Sequence, residues 1–553
     1  MNLKTIAVIA CLSAAPAGAF AQGSFTEVME VRVTNVDVVV TGKDGKPVPG
    51  LKLEDFELYE DGVKKEITNF AEVRESAPSA TLTPSATAET PAAPSEPQDI
   101  RRRNVVVFID NAALHPFRRK VILEHLQTFL KNNMRTGDEI AIITWANSLK
   151  AELEPTSDLS VLDSVMKKLQ SQGSFTNEKA SDLRSFQEQI RALQLLWANR
   201  GGKAPFTEAI GVARMYGVKV NHRARGRVEA LKAVAASMRG APGRKVLVFL
   251  TQDFSSNPAD DAFAWLDSIR DEFDGVGVAM NDARDLELRD MVKEIAEAAN
   301  SAGVTLYPID GAGKDGGMKM TDASDNTRLG TSAIVVSQTA QLTMNSIAAE
   351  TGGMALTGST NWQLAFDTIA NDLNTYYSLG YSSSGDKKDR LKKIEVRLKG
   401  KQKYAVRARH GVIEPSASSE MNDAVAAYLF REIGGNDLAI RASAGASTPG
   451  EGESTMVPLT ITIPMEKLTL LPDGADLTGS FSVFAAFLRK DGAVSKVARQ
   501  LQNFRIPAES LKRRKEITVK IDVKTDGRTD GISVGVMDDA SRATGFAAVK
   551  LGE

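Results

Sequence analysis

The sequence predicts a multidomain protein: a central doubly wound α/β domain between a small N-terminal β unit and a C-terminal antiparallel β-sandwich. Three observations predict it. Apolar runs at 105–109, 245–250 and 304–309 alternate with stretches of helical apolar spacing, the pattern of a mostly parallel sheet covered on both faces. Upstream, residues 33–40 and 53–58 read as short strands beside the Asp44-Gly45 and Asp61-Gly62 turn signals. Downstream of Gly411 the α/β alternation stops and short strands punctuated by Asp-Gly pairs follow.

Taken in order, residues 1–21 read as a signal peptide. Lys4 supplies the positive end, 6–17 the apolar region, and Ala19-Phe20-Ala21 the small-x-small site, with cleavage after Ala21. The apolar region is too short to span a bilayer. Val8-Ile9-Ala10-Cys11 also forms a loose lipobox, but a lipoprotein reading leaves an unusually short apolar region. The expectation is an exported protein, periplasmic or secreted, with no transmembrane segment after cleavage.

Residues 22–75 form the small β unit, and 76–99, almost all Ala, Pro, Ser, Thr and Glu, a disordered linker. The α/β domain occupies 100–412: strands at 105–109, 139–145, 245–250 and 304–309, helices at 120–130, 282–302 and 361–376, and a helical insertion near 170–205 with a Gly201-Gly202 corner. A helix and linker fill 413–456. The sandwich-like domain, 457–553, has strands at 457–463, 479–488, 516–523 and 531–537.

Composition excludes several functions. Of 553 residues, 68 are basic and 70 acidic, a net charge of −2 that gives no support to nucleic acid as a partner. One cysteine excludes a disulfide framework and any Cys-based zinc site, and four scattered histidines leave little for a His-rich metal centre. No Gly-x-Ser-x-Gly elbow sits between a strand and a helix, and no Walker A or complete dinucleotide fingerprint with its downstream acid is present. His115 and His125 fall on or near the first helix, His222 in a basic loop and His410 beside the domain boundary, each as a surface or packing residue. The glycine-rich stretch 311–317 follows a strand but lacks the downstream context of a phosphate-binding loop and reads as a mobile loop.

Three carboxylates stand at strand ends: Asp110, Asp253 and Asp310. In a doubly wound sheet that edge receives ligands, and converging acids there could hold a hard cation. The plain alternative is that each caps a helix or satisfies loop amides.

The α/β stretch resembles a von Willebrand factor A (VWA) domain, and residues 27–412 resemble the exported VWFA-related Acidobacterial domain family. The match is carried by Val48-Pro-Gly-Leu51, Asp55-Phe56, Tyr59-Glu-Asp-Gly62, the strands ending at Asp110 and Asp310, and the motifs at 347–353 (IAAETGG), 376–381 (YYSLGY) and 406–411 (VRARHG). The resemblance implies adhesion through a metal-ion-dependent site of form Asp-x-Ser-x-Ser, completed by a Thr on a second loop and an Asp on a third. It also implies a Gram-negative periplasm. Here the first loop reads Asp110-Asn111-Ala112-Ala113-Leu114, so Ala112 and Leu114 replace both hydroxyls. In the second, Lys203 or Ala204 falls where the Thr belongs and Thr207 comes late; Asp253 is the third-loop acid. Losing two hydroxyl ligands strips much of an octahedral Mg²⁺ shell, so Mg²⁺ is disfavoured and no cofactor is expected. Lys203 is a candidate to replace the cation's charge.

Of the basic clusters at 101–103, 118–120 and 512–515, the second adjoins this rim, and Tyr376, Tyr377 and Tyr381 read as core. The expectation is a non-catalytic adhesion module whose rim, Asp110, Asn111, Ala112, Leu114, Lys203, Ala204, Thr207 and Asp253, binds an unidentified extracytoplasmic protein without metal. Two alternatives are a weak divalent-cation site on Asp110 and Asp253, completed by Asn111 or Thr207, and an exported hydrolase with an unrecognised site near 170–235.

Overall fold

The computed structural model describes residues 33–74 and 102–551, apart from 147, 173–177, 240, 242, 313–325, 384–387, 401–402, 430–435, 451–453, 490–493, 514 and 527–528. The expected signal peptide, the linker 76–99 and most of the glycine-rich loop lie outside the described residues. Among the described residues no helix is long and apolar enough to cross a membrane.

The central sheet has five strands in the order Leu149–Thr156, Glu139–Trp145, Arg103–Asp110, Arg244–Thr251, Val304–Asp310. The last four are parallel and Leu149–Thr156 is an antiparallel edge. Arg103–Asp110 and Val304–Asp310 are buried at every residue, which is why their sequences run apolar without alternation. One face is covered by the helices Pro116–Asn133, Leu159–Ser171 and Trp362–Asn374, with Leu126, Leu162 and Phe366 packed on Val105 and Val107. Two of these helices start at sequence-encoded caps: Asp158 accepts from the Ser160 N–H at 2.8 Å, and Asn361 from the Leu364 N–H at 3.1 Å. The other face carries the second half of Phe206–Ser237, together with Met291–Ala302 and Asn326–Glu350.

The connection order reverses at Arg103–Asp110, which pairs with Glu139–Trp145 on one side and Arg244–Thr251 on the other. Asp110 therefore ends the strand at the topological switch point, where side chains of neighbouring loops converge.

The IAAETGG motif has a packing role. The Thr351 hydroxyl accepts the Leu306 N–H at 3.1 Å, and a Cβ on Gly353 would lie 1.9 Å from the Leu306 carbonyl oxygen. Only glycine permits that approach.

The N-terminal β unit is not a separate body. Val33–Thr41 is hydrogen-bonded between Thr375–Ser382 and Ala405–Ala408, and Ile67–Arg74 pairs with the far side of Thr375–Ser382. Phe56–Glu60 pairs with Leu391–Leu398. Two four-stranded sheets enclose Val36, Val38, Leu58, Tyr377, Leu379 and Tyr381. The boundaries expected at 75 and 412 thus cut through one sandwich: 375–413 pack with 33–74, and the α/β body ends with the helix Trp362–Asn374. Alternation shows which face of a strand is buried but not which strand lies beside it. The sandwich is tied to the α/β body by Asp372, which accepts from both Arg407 Nη1 and Nη2 at 2.7 Å and from the Tyr307 hydroxyl at 3.1 Å. Arg244 lies over the Tyr376 ring at 4.0 Å.

The C-terminal sandwich begins at Arg441–Ala444 rather than at 457. Its strands Ala498–Pro507 and Thr544–Lys550 are among those that sequence reading did not mark. Its sheets close over Leu459, Ile461, Val483, Val534 and Val536. The helix Ala417–Tyr428 packs Met421 and Val425 on Phe484 and Phe546, and Asp423 pairs with Arg239 at the end of the long α/β helix.

Candidate functional site

Asp110 is almost fully buried at the switch point, and its partners define the site. Its Oδ1 accepts the Ala113 N–H at 3.2 Å. Its Oδ2 accepts from the Thr251 hydroxyl at 2.8 Å and from Arg227 Nη1 at 3.2 Å. Burial pushes this carboxyl up, and the Arg227 guanidinium and the Thr251 hydroxyl oppose that rise. Arg227 comes from the middle of Phe206–Ser237, a helix of 32 residues, and also lies over the Phe254 ring at 5.4 Å. The basic loop expected around His222 is part of this helix.

Beside this ion pair opens a cleft with about 520 Å³ of space, its mouth included. Ala112, Ala113, Trp145, Val220 and Pro258 form its apolar walls. Lys179, Arg223, Arg227, Gln252 and Asp253 supply the polar lining. Asp253 takes a left-handed backbone, φ 55°. Lys179, at the start of the helix Glu178–Ala198, pairs with Asp261 at 3.3 Å, and the Tyr216 hydroxyl donates to the same carboxylate at 3.0 Å. Burial pulls the Lys179 ammonium down, but the carboxylates of Asp261 and Asp253 outweigh this and hold it above the usual lysine value.

The expected rim is only partly assembled. Asp110, Ala112 and Asp253 come together. Asn111 turns inward instead, where its Oδ1 accepts from Arg119 Nε at 2.8 Å, and Leu114 is core. Arg119, of the basic cluster expected to adjoin the rim, is therefore buried; Arg103 of the first basic cluster is also buried, held by Asp138. Lys203, Ala204 and Thr207 lie at the far end of the long helix. Thr207 is 20 residues before Arg227, about 30 Å along a helix at 1.5 Å per residue. Lys203 Nζ donates to the Asp271 carbonyl at 2.9 Å, and Ala204 is buried among Phe206 and Phe273. The cation beside Asp110 is Arg227, not Lys203. Helical spacing from Phe206 to Ser237 was the available signal, because it carries Arg227 back to the sheet.

The oxygens around Asp110 are already engaged. One Asp110 oxygen already holds a guanidinium and a hydroxyl, and the described residues contain no group of three or more His, Cys, Asp or Glu placed to hold a metal.

Asp310, the third strand-end acid, is buried and binds the Ala312 N–H at 2.9 Å. Burial, with a smaller push from Asp253, raises its carboxyl to about 7. A folded value above the unfolded one means stability is lost as pH rises from about 4 to about 7. Asp310→Asn is therefore expected to stabilise the α/β body by about 2–4 kcal/mol at pH 8 and to change little at pH 4. Calorimetric melting at both pH values checks this; an equal effect at both would refute it.

No protein-family model matches the chain, and no curated protein matches it. Among solved structures, the chain is similar over 49% of its length to an aerotolerance-related membrane protein from Bacteroides fragilis, of which 98% is covered, at 15% identity and TM-score 0.23. It is also similar, at 12% identity each, to the conserved hypothetical protein BatB from Bacteroides thetaiotaomicron (49% and 96% covered, TM-score 0.20) and to the vWF domain of the type V pili tip protein Mfa5 from Porphyromonas gingivalis (49% and 95% covered, TM-score 0.21).

Proposed function

We propose that this is an exported, VWA-type protein-binding module whose cleft over Asp110 works without a metal ion. The observation that carries the reading is the Arg227–Asp110 pair at the switch point, where a side-chain cation takes the place a divalent ion would need. The sheet order with its single antiparallel edge and the landmark motifs of the sequence support the VWA assignment. A non-catalytic role is part of this proposal: the described lining residues offer no serine, cysteine or histidine nucleophile. Its one amine, Lys179, is kept protonated and so is a poor nucleophile.

Thermal melting of the full chain with EDTA, Mg²⁺, Ca²⁺ and Mn²⁺, beside Asp110→Ala and Asp253→Ala, tests the metal assignment. The expected result is the same melting temperature in all four conditions. A cation-specific rise that disappears in both variants would overturn it, because a ligand bound only to the folded state stabilises that state. The binding role is checked by a photo-crosslinking residue at position 113 in cells that produce the protein. A discrete adduct to another protein is expected, and its absence counts against the reading.

A further inference from the structure

We infer that the cleft takes a basic side chain of its protein partner, an arginine or a lysine, whose charged head pairs with Asp253. This rests on the protein-binding reading above and adds the chemistry of the group recognised. The argument is one of charge already satisfied. Each cation lining the cleft has a carboxylate of its own: Arg227 has Asp110, Arg223 has Asp182, and Lys179 has Asp261. Asp253 makes no hydrogen bond or ion pair among the described residues; Lys179 feels its field but is bonded to Asp261.

A partner carboxylate entering here would compete with Asp110, Asp182 and Asp261 for their cations while facing Asp253. An entering cation meets Asp253, the one charge among the described lining residues left without a bonded partner. The walls suit the rest of such a side chain. Ala112, Ala113, Val220 and Pro258 offer apolar surface to an alkyl stem, and Trp145 adds aromatic surface to the same wall.

Random dodecapeptides displayed on phage and selected on the immobilised full chain test this while the natural partner is still unidentified. The selected peptides are then synthesised and titrated against the wild type, Asp253→Asn and the cleft-filling Ala113→Trp, with Ala112→Leu in reserve if Ala113→Trp does not fold. Asparagine is the informative replacement at 253, because it accepts a left-handed backbone and removes only the charge. Expected are peptides enriched in Arg or Lys that bind about ten-fold more weakly to Asp253→Asn, and equally weakly when their basic residue becomes Gln. Peptides lost in Ala113→Trp but acidic, or indifferent to Asp253→Asn, overturn the charge assignment and leave the protein-binding reading standing. If no selected peptide depends on position 113, both fall.

Discussion

A chain that begins at residue 100 is expected to lose the first sandwich and to aggregate or melt far below the full-length protein. In the intact molecule, Thr375–Ser382 is an interior strand with Val33–Thr41 on one side and Ile67–Arg74 on the other. Removing residues 1–99 deletes both neighbours at once. The backbone groups of Thr375–Ser382 are then left unpaired on both edges, and Tyr377, Leu379 and Tyr381 lose the apolar partners Val36, Val38, Phe56 and Leu58. Each fully buried side chain of this size represents about 1.5–3 kcal/mol of burial, so the loss exceeds what a marginally stable fold withstands. An exposed apolar strand with two open edges is also a template for intermolecular pairing. The measurement is sedimentation and proteolysis of 100–553 beside the full chain. Co-expression of 22–75 as a separate piece is expected to restore solubility in part. A monomeric, protease-resistant 100–553 would mean the sandwich does not depend on the N-terminal strands.

The second large effect concerns the ion pair at the switch point. Arg227→Met is expected to lower the stability of the α/β body by about 3–5 kcal/mol at pH 8, the usual cost of leaving a buried charge without its partner. Methionine preserves most of the side-chain volume, so the loss reports charge rather than a cavity. Without the guanidinium, burial raises the Asp110 carboxyl further, and the penalty is relieved as pH falls and the carboxyl takes up a proton. The defect should therefore be smaller at pH 5 than at pH 8. The double variant Asp110→Asn/Arg227→Met should recover most of the stability, since Asn keeps a partner for the Ala113 N–H and the Thr251 hydroxyl but carries no charge. Melting of the three variants at two pH values decides the matter. A double variant no better than Arg227→Met alone would show that Arg227 acts through its packing on Phe254 instead.

The two results bear on how the site works. An internal cation on Asp110 leaves its oxygens occupied whether or not a partner is present. The variable charge of the cleft is then Asp253, one loop away.

Much of this molecule is legible in local sequence because burial on both faces of a strand leaves an unmistakable local trace. The runs 105–109, 245–250 and 304–309 mark three adjacent parallel strands of the sheet, and with them the carboxylates that follow at the sheet edge. The Asp158 and Asn361 caps and the buried tyrosines belong to the same local level. Two features lie beyond it. Strand partners separated by hundreds of residues, such as Val36 and Leu379, leave no periodic signal, so one sandwich reads as two unrelated segments. Likewise the cation on Asp110 comes from a residue 117 positions away, brought back by the length and direction of one helix. Local periodicity reports how each segment is buried. Which distant charge neutralises a buried acid, and which strand covers another, is decided only when the segments pack, because those energies belong to pairs rather than to positions.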